Sequence, residues 1–135
     1  MGSPKILVID DDEKARQLAQ VVLRSRDYQV VVAKDGSEGL ALATKEGPDL
    51  IVLDVVMPGM DGFEACDRLK KDERTRGIPV LMLTATDDVE LNRKAFGVGA
   101  AACLTKPYRP EALTSAIEAL LASKRRASKG KEPGS

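Results

Sequence analysis

Short runs that are apolar at nearly every position, rather than at every second one, restrict the fold of this chain more than any other feature. KILVID (5–10), YQVVVA (28–33), DLIVLD (49–54), IPVLMLT (78–84) and AACLT (101–105) recur along it. A strand of this kind meets water on neither face, which is the condition inside a parallel sheet covered by helices on both sides. Between the runs, apolar residues fall at helical spacing. Ala15, Leu18, Ala19, Val22 and Leu23 follow the first run, and Leu113, Ala116, Ile117, Leu120 and Leu121 follow the fifth. A short, weak helix is predicted around 38–44, between Gly36 and Gly47-Pro48, with further helices over about 62–73 and 87–96. The predicted fold is therefore α/β: five strand–helix units forming one doubly wound five-stranded parallel sheet. In such sheets the crossovers are right-handed and the site lies beyond the carboxyl ends of the strands.

At 135 residues the chain holds one such domain and no more. Periodicity stops after residue 122, so the sequence divides into a folded part over 4–122 and a basic flexible tail or linker over 123–135. That tail, SKRRASKGKEPGS, carries five of the 21 Lys and Arg residues and a single acid, which leaves the body mildly acidic. It has neither aromatic interleaving nor a helical face, so a solvated linker is preferred over a nucleic-acid-binding segment. No apolar stretch approaches the roughly 20 residues needed to span a bilayer. The start, MGSPK, has no apolar signal region, and a cytoplasmic protein without membrane contact is expected. The chain has no histidine. Histidine-dependent triads and most zinc sites are thereby excluded, and Cys66 and Cys103 read as reduced, structural thiols.

The strand ends carry the chemistry. The first ends in Asp10-Asp11-Asp12-Glu13, the third in Asp54, the fourth in Thr84-Ala85-Thr86-Asp87 and the fifth in Thr105-Lys106-Pro107. Each group has an ordinary explanation by itself, such as a helix cap, a solvated acid or a loop lysine. In a sheet that sets strands one, three, four and five side by side, however, the ends converge. Clustered carboxylates raise one another's pKa unless a cation sits among them, and all-oxygen ligands with a hydrated rim favour magnesium. A carboxylate on the middle strand can attack phosphorus, the role predicted for Asp54. Lys106 and the Thr84 hydroxyl would balance the phosphoryl oxygens, and the Val56 carbonyl would complete the metal shell.

ILVIDDDEKAR, LIVLDVVMPGMDGFE, VLMLTA and LTKPY, in this order and spacing, resemble the receiver domain of bacterial two-component response regulators. The resemblance covers about residues 4–122. It implies a flavodoxin-like sheet of order 2-1-3-4-5 with five helices. It further implies that Asp54 accepts a phosphoryl group from a sensor histidine kinase or a histidine phosphotransfer protein, in a Mg2+-dependent reaction that drives a signalling switch. Asp11 would ligate Mg2+ directly and Asp10 through water, alongside Asp54 and the Val56 carbonyl. Thr84 falls on the switch hydroxyl, Lys106 on the phosphate-pairing lysine, and its bond to Pro107 is expected to be cis. Gly62 falls on the glycine that opens the third helix, and Met57-Pro58 form the loop beside the site. Such a domain is not an enzyme, assisting only its own phosphorylation and dephosphorylation. Its partners are a phosphodonor and a downstream effector protein or domain, with no direct nucleic-acid binding and at most a weak homodimer on phosphorylation.

Three positions depart from the pattern. Cys103 stands where the family commonly has a switch aromatic, which puts coupling through a swinging ring in doubt. Ala101 and Ala102 replace acids found in regulators that dimerise through their last helices and fifth strand. Val56 cannot orient an attacking water, so a long-lived acyl phosphate is expected. The same valine argues against a haloacid-dehalogenase-type phosphatase, which needs an acid two residues after its nucleophile, and the scarcity of aromatics argues against a flavin protein. A receiver-like interaction module that is never phosphorylated remains the alternative.

Overall fold

The computed structural model describes residues 2–130, with side chains through Arg126. Five strands alternate with five helices: β1 (Lys5–Ile9), α1 (Glu13–Arg24), β2 (Gln29–Ala33), α2 (Gly36–Glu46), β3 (Leu50–Asp54), α3 (Gly62–Lys71), β4 (Val80–Thr84), α4 (Val89–Gly97), β5 (Ala102–Thr105) and α5 (Pro110–Gly130). All pairings are parallel, as the apolar runs predict, and the order β2-β1-β3-β4-β5 is the one the resemblance implies.

Alternation along each strand divides the core into two clusters. Leu7, Ile9, Ile51, Leu53, Val80 and Met82 face one side, where Ala43 of α2, Phe63, Ala65, Cys66 and Leu69 of α3 and Ala95 of α4 cover them. Ile6, Val8, Leu50, Val52, Leu81 and Leu83 face the other, against Ala19 and Leu23 of α1 and Leu113, Ile117 and Leu121 of α5. β3 and β4 are buried at every position, which explains their uninterrupted apolar runs, whereas the edge strands β2 and β5 are partly exposed.

Aspartates set the starts of four helices. Asp12, Asp35, Asp61 and Asp88 each accept a hydrogen bond from a main-chain N–H in the first turn of α1, α2, α3 and α4. The cap at Asp88 places the start of α4 at Val89 rather than at 87. α2 is longer than its weak periodicity suggests. Asp35 accepts from the Glu38 N–H at 2.8 Å while Glu38 reaches back to the Lys34 N–H, and Gly47 closes the helix at φ +55°.

The largest departure from the sequence-based boundaries is at the far end. α5 stays helical through 130 instead of stopping at 122, so the first part of the segment expected to be a flexible linker is helix. Alanine, lysine and arginine are good helix formers and extension of an existing helix needs no new nucleus, so the helix outlasts its apolar face. Residues 131–135 of the expected tail lie outside the described residues. Among the described residues, no helix is long and apolar enough to cross a membrane.

Candidate functional site

The sheet delivers the strand-end groups to one edge. Asp10 follows β1 with its N–H on the Ala33 carbonyl at 3.1 Å. Asp54 and Thr84 are the last residues of β3 and β4, and Lys106 follows β5, its N–H donating to the Thr84 carbonyl at 2.7 Å. The parallel register sets Asp54 beside Leu83 and Thr84 beside Thr105, so adjacent strands present these groups at similar height. The Lys106–Pro107 peptide bond is cis.

Charge is concentrated there. The Lys106 ammonium donates to Asp10 Oδ2 at 3.0 Å and lies 3.4 Å from Asp54 Oδ1. Asp10 and Asp54 are 2% and 7% exposed, whereas Asp11 is open to solvent at the rim. One carboxylate oxygen from each of Asp10, Asp11 and Asp54 lies within 4.8 Å of the others. Burial, and then the neighbouring Asp10 charge, push the Asp54 carboxyl up to about 6 against the opposing pull of Lys106 and the Val56 main chain. For Lys106, burial opposes the charged form, but the Asp10 and Asp54 carboxylates outweigh it and raise its pKa. One ammonium therefore does not neutralise the cluster. Three converging carboxylates with such a deficit, one of them exposed to solvent, are the donor set that a hard divalent cation takes.

The connection after β3 is held tightly against the site. The Gly62 N–H donates to the Val55 carbonyl at 2.8 Å, and a Cβ at Gly62 would collide with the Asp54 carbonyl and the Val55 Cα. Only glycine lets α3 begin this close to the end of β3. Val56 projects its side chain into solvent. Thr84 is fully buried and its hydroxyl donates to the Thr86 carbonyl at 2.9 Å, which ties it to the β4–α4 loop. Cys103 is half-buried, packed against the cluster that α2, α3 and α4 cover, and burial raises its thiol pKa. Cys66 is fully buried and donates to the Val98 carbonyl at 3.6 Å.

Two participants went unnoticed in the sequence. Arg16 of α1 donates through Nη1 to the Asp10 main-chain carbonyl at 2.7 Å. Its only signal is position, one helical turn past the cap at Asp12, where a side chain reaches back toward the end of β1. Lys94 of α4 sits over the Phe63 ring, 4.5 Å from its centroid, joining α4 to the start of α3. No motif announces that pair.

A doubly wound parallel sheet with three aspartates and a lysine gathered at its carboxyl edge defines an α/β domain built around an acidic pocket. Residues 6–118 match the family described as "Response regulator receiver domain", and the chain belongs to that family. It is 46% identical over 118 residues to the DNA-binding dual master transcriptional regulator RpaA of Synechocystis sp., covering 87% of this chain and 49% of that protein. It is 41% identical over 120 residues to protein PilH of Pseudomonas aeruginosa, covering 87% of this chain and 98% of that one. The chain thus spans about half the length of the transcriptional regulators it matches, and nearly all of PilH. Among solved structures, the chemotaxis protein CheY4 of Vibrio cholerae superposes with a TM-score of 0.83 at 36% identity, covering 87% of this chain and 98% of that one.

Proposed function

We propose that Asp54 is the phosphoacceptor of this receiver domain and that the domain proper occupies residues 4–122. The observation that carries the reading is the meeting of Asp10, Asp11 and Asp54 within 4.8 Å, with Lys106 bridging two of them. An Asp54 carboxylate oxygen attacks the phosphorus of a phosphohistidine on a sensor kinase or phosphotransfer protein. The new bond is Asp54 O–P, the P–N bond breaks, and the departing imidazole takes up a proton. Having no histidine, the chain is an acceptor and not a phosphohistidine donor.

Asp11, Asp54 and the Val56 carbonyl would hold Mg2+, with Asp10 acting through water. The ion supplies charge neutralisation for the phosphoryl oxygens. Lys106 already sits between Asp10 and Asp54, so it is placed to exchange a carboxylate for a phosphoryl oxygen. Thr84 is placed to give up its bond to the Thr86 carbonyl and donate to the phosphoryl group instead, which would draw the β4–α4 loop inward. The added charge of about −1.5 to −2 then biases a two-state surface read by an effector protein or domain. The domain acts in the cytoplasm, assists only its own phosphorylation and dephosphorylation, and contacts no nucleic acid itself. Self-association on phosphorylation is no more than weak.

Intact-mass analysis with acetyl phosphate and Mg2+ tests this. One phosphoryl group should add to the wild type and none to Asp54→Asn. Equal labelling of both would sink the assignment, and no labelling of either would favour an interaction module that is never phosphorylated. Because the exposed Val56 side chain can neither donate to nor orient water, the phosphoryl group should persist for minutes or longer. Decay within seconds in Mg2+ would show that valine does not protect it.

A further inference from the structure

Asp10 is held at every polar atom it has. Its N–H donates to the Ala33 carbonyl at 3.1 Å, its Oδ1 accepts from the Asp12 N–H at 3.0 Å, and its Oδ2 accepts from Lys106 at 3.0 Å. Its main-chain carbonyl accepts from Arg16 Nη1 at 2.7 Å. The first three bonds come from a sheet neighbour, from the adjoining turn and from the site lysine. The fourth comes from a side chain six positions further on, half-buried on α1. That carbonyl belongs to the peptide joining Asp10 to Asp11. Fixing its oxygen fixes the plane of the peptide, and with it the position of the Asp11 Cα from which the carboxylate extends. Asp11 has no other restraint of this kind, because its carboxylate is exposed and makes no hydrogen bond among the described residues.

We propose that Arg16 is a positioning residue for Asp11: by clamping the Asp10 carbonyl, its guanidinium aims the Asp11 carboxylate at the divalent cation. The inference rests on the reading of the acidic cluster as a Mg2+ site. A guanidinium so near a cation site opposes the ion by charge alone, so charge and geometry predict opposite outcomes when it is removed.

The test is Mg2+ affinity by titration calorimetry for the wild type, Arg16→Gln, Arg16→Lys and Lys14→Gln. The amide shift and hydrogen exchange of Asp11 are followed in the metal-free proteins. Lys14 is an exposed cation on the same helix without a side-chain bond to Asp10, so its loss reports the effect of charge alone. Arg16→Gln should weaken Mg2+ binding about tenfold, the order found when a partner that orients a metal ligand is lost. Arg16→Lys, which keeps one donor, should fall between it and the wild type, and Lys14→Gln should bind at least as tightly as the wild type. The Asp11 amide should move and exchange faster in Arg16→Gln, and saturating Mg2+ should restore labelling by acetyl phosphate.

Unchanged or tighter Mg2+ binding in Arg16→Gln would overturn the proposal, because that is the result of removing a charge. If Arg16→Gln does not fold, an unchanged affinity in Arg16→Lys overturns it in the same way. If the wild type itself binds no Mg2+, the reading of the cluster fails. An unmoved Asp11 amide in metal-free Arg16→Gln would then overturn the clamp independently.

Discussion

β1 and β3 are neighbours that deliver nearly buried aspartates to the same edge, and the two ends are built for opposite purposes. At the end of β1, Asp10 is satisfied at each polar atom by Ala33, Asp12, Arg16 and Lys106. At the end of β3, Asp54 shares an ammonium that lies closer to Asp10, and burial drives its carboxyl up to about 6. A fully bonded carboxylate is a rigid part of the frame. One that is short of partners is free to react and gains most from a cation.

Mg2+ should separate the two ends most. At a hundred times its dissociation constant it should stabilise the wild type by about 2.7 kcal/mol, as read from urea denaturation, and most of that gain should vanish in Asp54→Asn. An undiminished gain in that variant would place the ion elsewhere. Without metal, Asp10→Asn should destabilise by about 2 kcal/mol, since it removes the closer partner of a partly buried lysine. The matching change at the other end, Asp54→Asn, should stabilise the metal-free protein at pH 7 by about 1–2 kcal/mol, so the two substitutions carry opposite signs.

The pH dependence follows from the raised pKa of Asp54. Because the folded state binds this proton more tightly than the unfolded chain, its contribution is fully present below the ordinary carboxylate value of 3.8. It is lost as pH rises through about 6. The stability difference between wild type and Asp54→Asn should therefore widen across that window, and a flat difference would show that Asp54 is not strained. The smallest effect is expected at Asp12, whose carboxylate only caps α1. Asp12→Ala should cost about 1 kcal/mol and leave Mg2+ affinity unchanged.

What the sequence made legible follows from what burial on two faces demands. β3 and β4 are apolar at every position before their terminal Asp54 and Thr84, so their runs and their polar ends were both visible. Asp10 and Lys106 were visible for the same reason, as polar groups ending apolar runs. The continuation of α5 past Leu121 was hidden because it depends on helix propensity and not on a buried face. Arg16 was hidden because its partner is a main-chain oxygen, which leaves no complementary side chain to notice. The Thr84 hydroxyl was found, but its present bond to Thr86 depends on loop geometry that residue types do not encode.

Alternating side chains make the sheet a partition between Leu53 and Met82 on one side and Leu81 and Leu83 on the other. Over long divergence, a volume lost at Met82 can be regained at Leu53 or Cys66 but not at Leu83, whose neighbours lie beyond the backbone. A substitution in one cluster would therefore be compensated within that cluster and not across the sheet. At the strand ends both clusters stop, and a change there would have to suit the packing on both faces of the sheet.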